Sequence, residues 1–282
     1  MNNGSYTKEI SIDWGAKSGS FDMPTMHTHD CHELYFLLSG QRRYLIGPDI
    51  YDVSAGNVVL IPAKQLHRTT MRGSRGHTRY VVYFHEEYLQ DFIGLVGQAR
   101  FDAILTSGCI QLPGDQAQLV GELLRKMEQE QKRADSFARA AMKTSLQEIL
   151  LCLLRSGASR GQAVSANAAK IQEVTHYICQ HYGTDISLAD AAKLAFMEKT
   201  YFSKCFKSLT GFGFSEYLTR IRIQAAQQLL QRSDDSISEV AGKCGFSGSN
   251  YFGDVFRRCT GCSPTEYRSR YHNRSKDATN RG

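Results

Sequence analysis

The last hundred residues of this 282-residue chain carry the same sequence pattern twice, and this repeat restricts the fold more than any other feature. The first copy consists of Tyr201-Phe202, Phe206, Thr210-Gly211 and Glu216-Tyr217. In the second copy the same residue types recur fifty positions later, at Tyr251-Phe252, Phe256, Thr260-Gly261 and Glu266-Tyr267. A constant offset over so many positions indicates one structural unit built twice.

Each copy is preceded by the pattern of a short amphipathic helix. The apolar positions that share one helical face are Leu188, Ala191 and Ala192 before the first copy, and Ile237, Val240 and Ala241 before the second. Small alanines let two helices approach closely, which a helix-turn-helix needs. The candidate caps are Ser187 and Ser236 for these short helices, and Glu198 and Ser247 for the helices that follow. The pattern predicts two helix-turn-helix units.

In each copy the second helix has apolar residues behind and short polar or basic residues in front, as expected for a recognition helix in a major groove. We expect Tyr201, Phe202 and Phe206 to lie on the inner side. The residues predicted to bind DNA are Lys199, Thr200, Ser203, Lys204 and Lys207 in the first copy, and Ser249, Asn250, Gly253, Asp254, Arg257 and Arg258 in the second. From periodicity alone, a helical bundle with a solvated polar face is the alternative.

The two predicted recognition helices differ at two matching positions. Where the first has Ser203 and Lys204, the second has Gly253 and Asp254. Phosphates repel a carboxylate, although it can accept a hydrogen bond from the amino group of cytosine. We therefore expect Lys204 to contact a base edge or an adjacent phosphate, and the second helix to read fewer bases than the first.

From about Ile171 to Tyr271 the chain resembles the AraC/XylS family of bacterial transcription regulators. The resemblance is densest from Ser236 to Tyr267, which contains Gly245-Phe246-Ser247 and Ser263-Pro264. It implies two helix-turn-helix units joined by one long helix, here about Phe214 to Gln231, with both recognition helices in successive major-groove faces of one DNA site. It also implies contact with RNA polymerase, activation as the commoner direction of regulation, and sugars or related polyols as frequent effectors.

Charge and composition agree with a DNA-binding protein. The net charge is +6, and Lys170 onward contributes 16 basic against 11 acidic residues. No apolar run approaches membrane-spanning length, and Met1 to Ala16 lacks the apolar core of a signal peptide. We therefore expect a cytoplasmic protein with no membrane partner and with its eight cysteines reduced. Cys259-x-x-Cys262 has no nearby partner residues that would make it a metal or redox site.

The first hundred residues have the pattern of a β-sandwich or barrel. The short apolar runs are Leu34 to Leu38, Arg43 to Ile46, Asn57 to Ile61 and Arg79 to Phe84, with Gly and Pro between them. Two helical stretches follow, at about Asp115 to Lys132 and Asp135 to Leu154. The second has an apolar face around Leu146, Ile149, Leu150 and Leu153, which would either form a homodimer or cover its own barrel.

A second set of candidate functional residues, here called the second constellation, lies in this β-region. His27-x-His29, Glu33 and then His67 have spacings that resemble the two cupin motifs, whose residues converge inside a barrel. His and carboxylate ligands suit Zn, Fe, Mn or Ni. The chain departs from the motifs at Lys64, where they have Gly, and at Met71, where they have Asn. We predict that the four residues bind an effector; a divalent metal held by the same four is the alternative, and no cofactor is required.

These observations predict an α+β chain. We expect residues 1–155 to form a cupin-like β-barrel with trailing helices, and this domain to bind an effector and to dimerise. Residues 156–169 are expected to be a linker. Residues 170–272 are expected to form an all-α domain of two helix-turn-helix units joined by a long helix, and residues 273–282 a disordered tail. The predicted function is a transcription activator that binds double-stranded DNA and senses a small molecule such as a sugar. It is not expected to be an enzyme; the alternative is a metal-dependent cupin enzyme with an appended helical domain.

Overall fold

The computed structural model describes residues 10–18, 23, 26–73, 76–156 and 165–270. The chain divides into two compact units, Met1–Ser165 and Ala166–Gly282. Most of the predicted linker, residues 157–164, and the predicted tail lie outside the described residues. None of the described helices is long and apolar enough to cross a membrane. The fold is α+β as predicted, with a β-rich unit followed by an all-α unit.

The first unit contains two antiparallel sheets. A five-stranded sheet has the order β1-β7-β2-β5-β8, and a three-stranded sheet has the order β4-β3-β6. The strands are β1 Ile10–Ser18, β2 His32–Ser39, β3 Gln41–Ile46, β4 Asp49–Ser54, β5 Asn57–Ile61, β6 His67–Met71, β7 Gly76–Phe84 and β8 Cys109–Gln111. Among the described residues the strands pair as two separate sheets, so the predicted cupin-like β-domain is an open, two-sheet arrangement.

The inner strands β2 and β5 of the five-stranded sheet are buried on both faces because each face is covered. Tyr35 and Leu37 of β2 belong to a cluster that also contains Tyr44 and Val53 of the other sheet, so this face meets the three-stranded sheet. Leu34 and Phe36, which alternate with them, belong to a second cluster that the helices complete. This division follows from the two-residue period of a strand.

Four helices cover the outer face of the five-stranded sheet. They are α1 Gln90–Val96, α2 Gln98–Leu105, α3 Gly114–Arg133 and α4 Ala138–Arg155. Leu146, Ile149, Leu150 and Leu153 of α4 are buried in the cluster that these helices form with the sheet. They are therefore unavailable to a second subunit, and their assignment as a dimer interface is wrong. The alternative, that this face covers its own domain, is correct.

The second unit consists of two helix-turn-helix units around one long helix. Its helices within the described residues include α5 Ala166–His181, α6 Leu188–Leu194, α7 Lys199–Thr210, α8 Phe214–Arg232, α9 Ile237–Lys243 and α10 Ser249–Thr260. The helix α5 begins inside the segment predicted as linker. Ser187 and Ser236 cap α6 and α9, as predicted, and each also forms a capping box, with Asp190 and Glu239 respectively. The C-caps of α7 and α10 are Gly211 and Gly261, both left-handed with φ of 80° and 82°.

Two details of the recognition helices differ from the predictions. The N-cap of α10 is Gly248 and makes no side-chain cap, so Ser247 does not cap this helix. Tyr201 is 52 % exposed rather than internal. The buried positions of α7 are Phe202, Phe206, Leu209 and Thr210. Tyr201 lies beside this stripe, and its hydroxyl accepts a hydrogen bond of 2.8 Å from Nδ2 of Asn167 in α5.

Candidate effector site and DNA interface

Three histidines meet at one edge of the space between the two sheets. Potential ligand atoms of His27, His29 and His67 all lie within 4.8 Å of one another. His27 and His67 pair as an isolated β-bridge. His27 and His29 lie in the segment before β2. The amide of Lys64 donates a 2.7 Å hydrogen bond to the carbonyl of His29, which ties the turn before β6 to this segment.

Lys64 itself has a left-handed backbone, with a φ of 65°. This is the position where the cupin motif has Gly, and the conformation explains why that residue type suits it. The departure from the motif noted at Lys64 therefore leaves the turn intact, because the lysine adopts the conformation that glycine would adopt.

Glu33 joins the three histidines. On β2 it has the same parity as Tyr35 and Leu37, so it faces the space between the sheets. Its Oε2 lies 3.1 Å from Nε2 of His29 and 3.7 Å from Nε2 of His67. Both His67 and Glu33 are buried. The structure thus brings together all four residues of the second constellation.

Backbone carbonyls fix which nitrogen each buried histidine presents. Nδ1 of His29 lies 2.7 Å from the carbonyl oxygen of Cys31, and Nδ1 of His67 lies 2.8 Å from that of Gln65. A carbonyl oxygen can only accept, so each Nδ1 carries the hydrogen. Both Nε2 atoms therefore face Glu33. Nε2 of His67 is buried and makes no hydrogen bond to any described residue.

Electrostatics hold this cluster as an ion pair. Burial alone would lower the pKa of His29, but hydrogen bonds with Cys31 and Glu33 outweigh it and raise the pKa to about 10. Burial would raise the pKa of Glu33, but its hydrogen bond with His29 and the adjacent His67 hold that pKa far below its usual range. The carboxylate is charged at neutral pH, so it can accept a hydrogen bond from an imidazole or a hydroxyl, or coordinate a cation.

Further polar side chains share the inner faces of the sheets. The rings of Tyr35 and Tyr44 lie 5.0 Å apart, and burial raises the pKa of both phenols. Nε of the buried Arg42 donates to Oγ1 of Thr69 at 3.2 Å. Tyr83 contacts the ring of His29 edge-on at 5.5 Å between centroids. This polar interior can form many hydrogen bonds with a hydroxylated ligand.

The spacing of His27, His29, Glu33 and His67 did not predict that these further polar residues share the same interior. Thr69 lies two positions after His67 on β6, so the period of a strand could have placed it on the same face. Arg42 and Tyr44 could not be found in this way, because their position depends on the register that pairs Tyr44 with Thr69 and Ile46 with His67.

His32, between two members of the cluster, points to the other face of β2. Its Nδ1 accepts a hydrogen bond of 3.1 Å from the amide of Ala63, and its ring packs against Phe84 and Phe101. Burial lowers the pKa of His32 to about 4, so the ring is neutral. It is a core residue rather than a member of the site.

In the second unit, the predicted DNA-binding residues lie on the outer faces of α7 and α10. Ser203 and Gly253 are partly buried, and all the other predicted residues are exposed. The apolar side of α7 packs through Phe202 and Phe206, whose rings lie 5.4 Å apart. The matching rings of α10, Phe252 and Phe256, lie 5.5 Å apart. Each helix therefore presents a polar face to solvent.

The start of α7 is set by Glu198. Its Oε2 accepts hydrogen bonds from the amides of Thr200 and Tyr201, at 2.7 and 3.0 Å. These bonds satisfy two of the helix's first amides, as expected of an N-cap. Thr200 and the following polar residues are consequently held in a regular helix from its first turn.

An open two-sheet unit with a buried polar cluster, followed by a paired helix-turn-helix, defines a transcription regulator with its own effector-binding domain. The family model of an AraC-like ligand binding domain matches residues 16–150, and that of a helix-turn-helix domain matches residues 191–270. Together the two models cover about three quarters of the chain. The chain belongs to the AraC family of transcription regulators, which confirms the resemblance inferred from the repeat.

Two curated relatives match both units. The HTH-type transcriptional activator RhaR of Mannheimia succiniciproducens is 24 % identical over 251 residues, 87 % of each chain. The activator RhaS of Enterobacter sp. is 26 % identical and covers 86 % of each chain. Among solved structures, the DNA-binding domain of the global transcriptional factor AdpA in complex with a target DNA is 37 % identical, covering 36 % of this chain and 92 % of that one, with a TM-score of 0.36.

Proposed function

We propose that this regulator activates transcription when a small molecule binds between the two sheets of its first unit. The convergence of His27, His29, Glu33 and His67 carries the proposal, because a buried polar atom needs a partner and Nε2 of His67 makes no hydrogen bond to any described residue. Binding would shift the balance between two arrangements of the protein by its different affinity for each. The full-length relatives are named as transcriptional activators, which supports activation.

The polar faces of α7 and α10 are the proposed DNA-reading surfaces. Lys204 would contact a base edge or a phosphate from α7. In α10, Asn250 suits adenine, and Arg257 and Arg258 suit phosphates. The exposure of these side chains and the net positive charge of this region support the assignment. Regulation would take place in the cytoplasm, on double-stranded DNA, with RNA polymerase as the second macromolecular partner.

A divalent transition metal is a second occupant that the same cluster fits. In metal sites a histidine commonly donates its other ring N–H to a backbone carbonyl, and His29 and His67 have this arrangement. A metal would displace the proton that the raised pKa keeps on Nε2 of His29. The Nε2 atoms of His29 and His67, together with His27 and the charged carboxylate of Glu33, would then supply the ligands. A bound cation would also hold Glu33 in its ionised state and could bind the oxygens of an effector.

Calorimetric titration with Zn²⁺ and Ni²⁺ distinguishes these occupants. If the cluster holds a metal, the wild-type protein binds one ion per chain, and His67→Ala loses at least about tenfold in affinity. Thr78→Ala, at a residue outside the cluster, is the control. Equal metal affinity in the wild type and His67→Ala would exclude a metal at this cluster. Direct recognition of the effector by the four side chains would then be the explanation that is left.

The absence of an enzyme activity is also part of the proposal, supported by relatives that are transcription regulators. A homodimer remains proposed, although not through the buried face of α4. Its mass by light scattering, with and without DNA, tests it: a strictly monomeric protein at high concentration would contradict the dimer.

The central experiment measures DNA binding and effector response separately. Purified protein should shift DNA from upstream of its own gene, and a thermal-shift screen of sugars and polyols should identify a compound that raises its Tm. That compound should change transcription from the shifted DNA in a purified system with RNA polymerase. A protein that binds no DNA fragment would overturn the proposal, and so would one whose transcriptional effect no bound compound alters.

A further inference from the structure

Arg222 of α8 connects two parts of the second unit that are far apart in the sequence. Its Nε donates a 2.8 Å hydrogen bond to the carbonyl of Tyr182, and its Nη2 donates another of 2.8 Å to the carbonyl of Thr184. Both carbonyls belong to the segment just after α5. The guanidinium also lies 6.0 Å from the ring centroid of Phe246, in the second helix-turn-helix. One half-buried cation thus contacts the end of α5 and the turn after α9.

The backbones of these two segments touch directly. A Cβ atom added to Gly183 would lie 2.7 Å from the carbonyl oxygen of Lys243. One added to Gly245 would lie 2.8 Å from the carbonyl oxygen of Tyr182 and 3.0 Å from Nε of Arg222. Such distances are shorter than real Cβ contacts allow, so neither position has room for a side chain. We call Arg222, Tyr182–Thr184 and Lys243–Gly245 the Arg222 latch.

The latch joins segments that contact the two recognition helices or their cores. Near its first residue, α5 is attached to the recognition helix α7 by the hydrogen bond from Asn167 to Tyr201. Just after the last residue of α5, Tyr182 packs against the apolar cluster of the second helix-turn-helix. The helix α8 links the same two units covalently. The two helix-turn-helix units are therefore connected at two separate places, which restricts rotation of one against the other more than a single connecting helix would.

We propose that Arg222 and Gly183 are positioning residues that fix the distance and rotation between α7 and α10, so that the protein reads its two half-sites at one spacing only. The inference deepens the proposed DNA-reading role and rests on it. Inserting one base pair between half-sites moves the second by about 3.4 Å and rotates it by roughly 35°. A rigid reader cannot follow this change, whereas two loosely joined units can.

Two substitutions open the latch in different ways. Arg222→Met removes both hydrogen bonds while keeping much of the apolar stem of the side chain. Gly183→Ala adds one methyl group against the carbonyl of Lys243 and changes no charge. Each has a matched control. Arg220→Met removes the same charge from the same helix, where Arg220 bonds to Glu216 of its own helix. Gly242→Ala adds a methyl group with nothing within 4 Å.

The test selects binding sites for each full-length protein from a pool of random double-stranded DNA, then measures affinity for the selected site with one base pair inserted or removed at its centre. We expect the wild type and both controls to select one spacing and to lose about tenfold or more on either change, the scale of a mismatched contact. Arg222→Met and Gly183→Ala should select several spacings and bind the altered sites within about threefold of the parent site.

The outcomes separate the latch from the DNA-reading role. If both latch variants, folded by circular dichroism, select the same single spacing as the wild type, the latch does not set it and the proposal is wrong. A wild type that tolerates changed spacing equally well also overturns it. Failure of the wild type to enrich any sequence would instead contradict sequence-specific DNA reading itself.

Discussion

Glu33 of β2 and His29, four residues earlier in the segment before that strand, form a buried hydrogen bond of 3.1 Å between Oε2 and Nε2. Removing one partner of such a pair leaves the other charge buried without compensation, which is strongly unfavourable. The pair therefore orders the segment from His29 to Glu33 as well as offering a carboxylate to a ligand. A change at either residue should therefore alter the structure of the first unit, here called the sensor unit, and leave the structure of the second, helical unit unchanged.

The first prediction separates sensing from DNA binding. Glu33→Gln keeps the shape of the side chain and removes its charge, so the affinity for an activating compound should fall at least about tenfold. His67→Ala should abolish the response as well. DNA affinity without effector should remain within about twofold in both, because the helical unit forms its own cores. Fluorescence anisotropy measures DNA binding, and a reporter measures the response.

Glu122→Gln is the matched control for this prediction, because it neutralises an exposed carboxylate on α3. It should leave both activities unchanged. Full response in Glu33→Gln and His67→Ala would place the effector elsewhere in the protein. Loss of DNA binding in a well-folded His67→Ala protein would contradict the separation of the two activities.

The second prediction concerns Lys204 on the exposed face of α7. Lys204→Ala should weaken binding to the specific site by about 1–3 kcal/mol if the lysine reads a base, and should weaken all sites equally if it contacts only phosphate. Lys126→Ala removes an equal charge from an exposed position on α3 and serves as the control. Unchanged affinity in Lys204→Ala on a mapped operator would exclude Lys204 from the interface.

The third prediction is an asymmetry between the two half-sites. Because α10 has Gly253 and Asp254 in place of Ser203 and Lys204, it has fewer groups that can bind a base edge or a phosphate. Systematic base substitution across the operator should find fewer sensitive positions in the half-site of α10. Asn250→Ala should relax the preference for adenine there. Equal specificity in both half-sites would show that Asp254 and Gly253 do not weaken readout.

Much of the helical unit could be predicted because its signals are local. The capping serines Ser187 and Ser236 and the buried rings Phe202 and Phe206 follow from spacing within one helix. The prediction that Ser247 caps α10 is wrong by one residue, because the N-cap is Gly248. Helix ends depend on small differences between competing caps, which local sequence alone does not resolve.

The structure of the sensor unit could be predicted less completely, because it depends more on contacts between residues far apart in the sequence. The apolar face of α4 was evident, but whether it met its own sheet or a second subunit depended on the outer face of the five-stranded sheet, which Leu34 and Phe36 help to form. The spacing of His27, His29, Glu33 and His67 indicated that they meet, whereas Arg42 joined the polar interior only through the register of β3 with β6. The role of His27, His29, Glu33 and His67 as an effector site stays a prediction.

The last prediction concerns Phe196, in the turn between α6 and α7. It has a left-handed backbone with a φ of 53°, and its side chain is 86 % exposed. The matching position of the second helix-turn-helix is Gly245, with a φ of 75°. A residue with a Cβ is disfavoured in this conformation by about 1–2 kcal/mol, and the exposed ring gains little burial in return.

Phe196→Gly should therefore raise the free energy of unfolding by roughly 0.5–1 kcal/mol, the relief of strain being partly offset by the greater freedom of glycine in the unfolded chain. Phe196→Ala keeps the Cβ atom and the strained backbone, so it should give no comparable gain. Chemical denaturation of the three proteins measures the difference. If Phe196→Ala stabilises the protein as much as Phe196→Gly, the exposed ring and not the backbone is the source of the instability; if neither does, the turn holds Phe196 without strain.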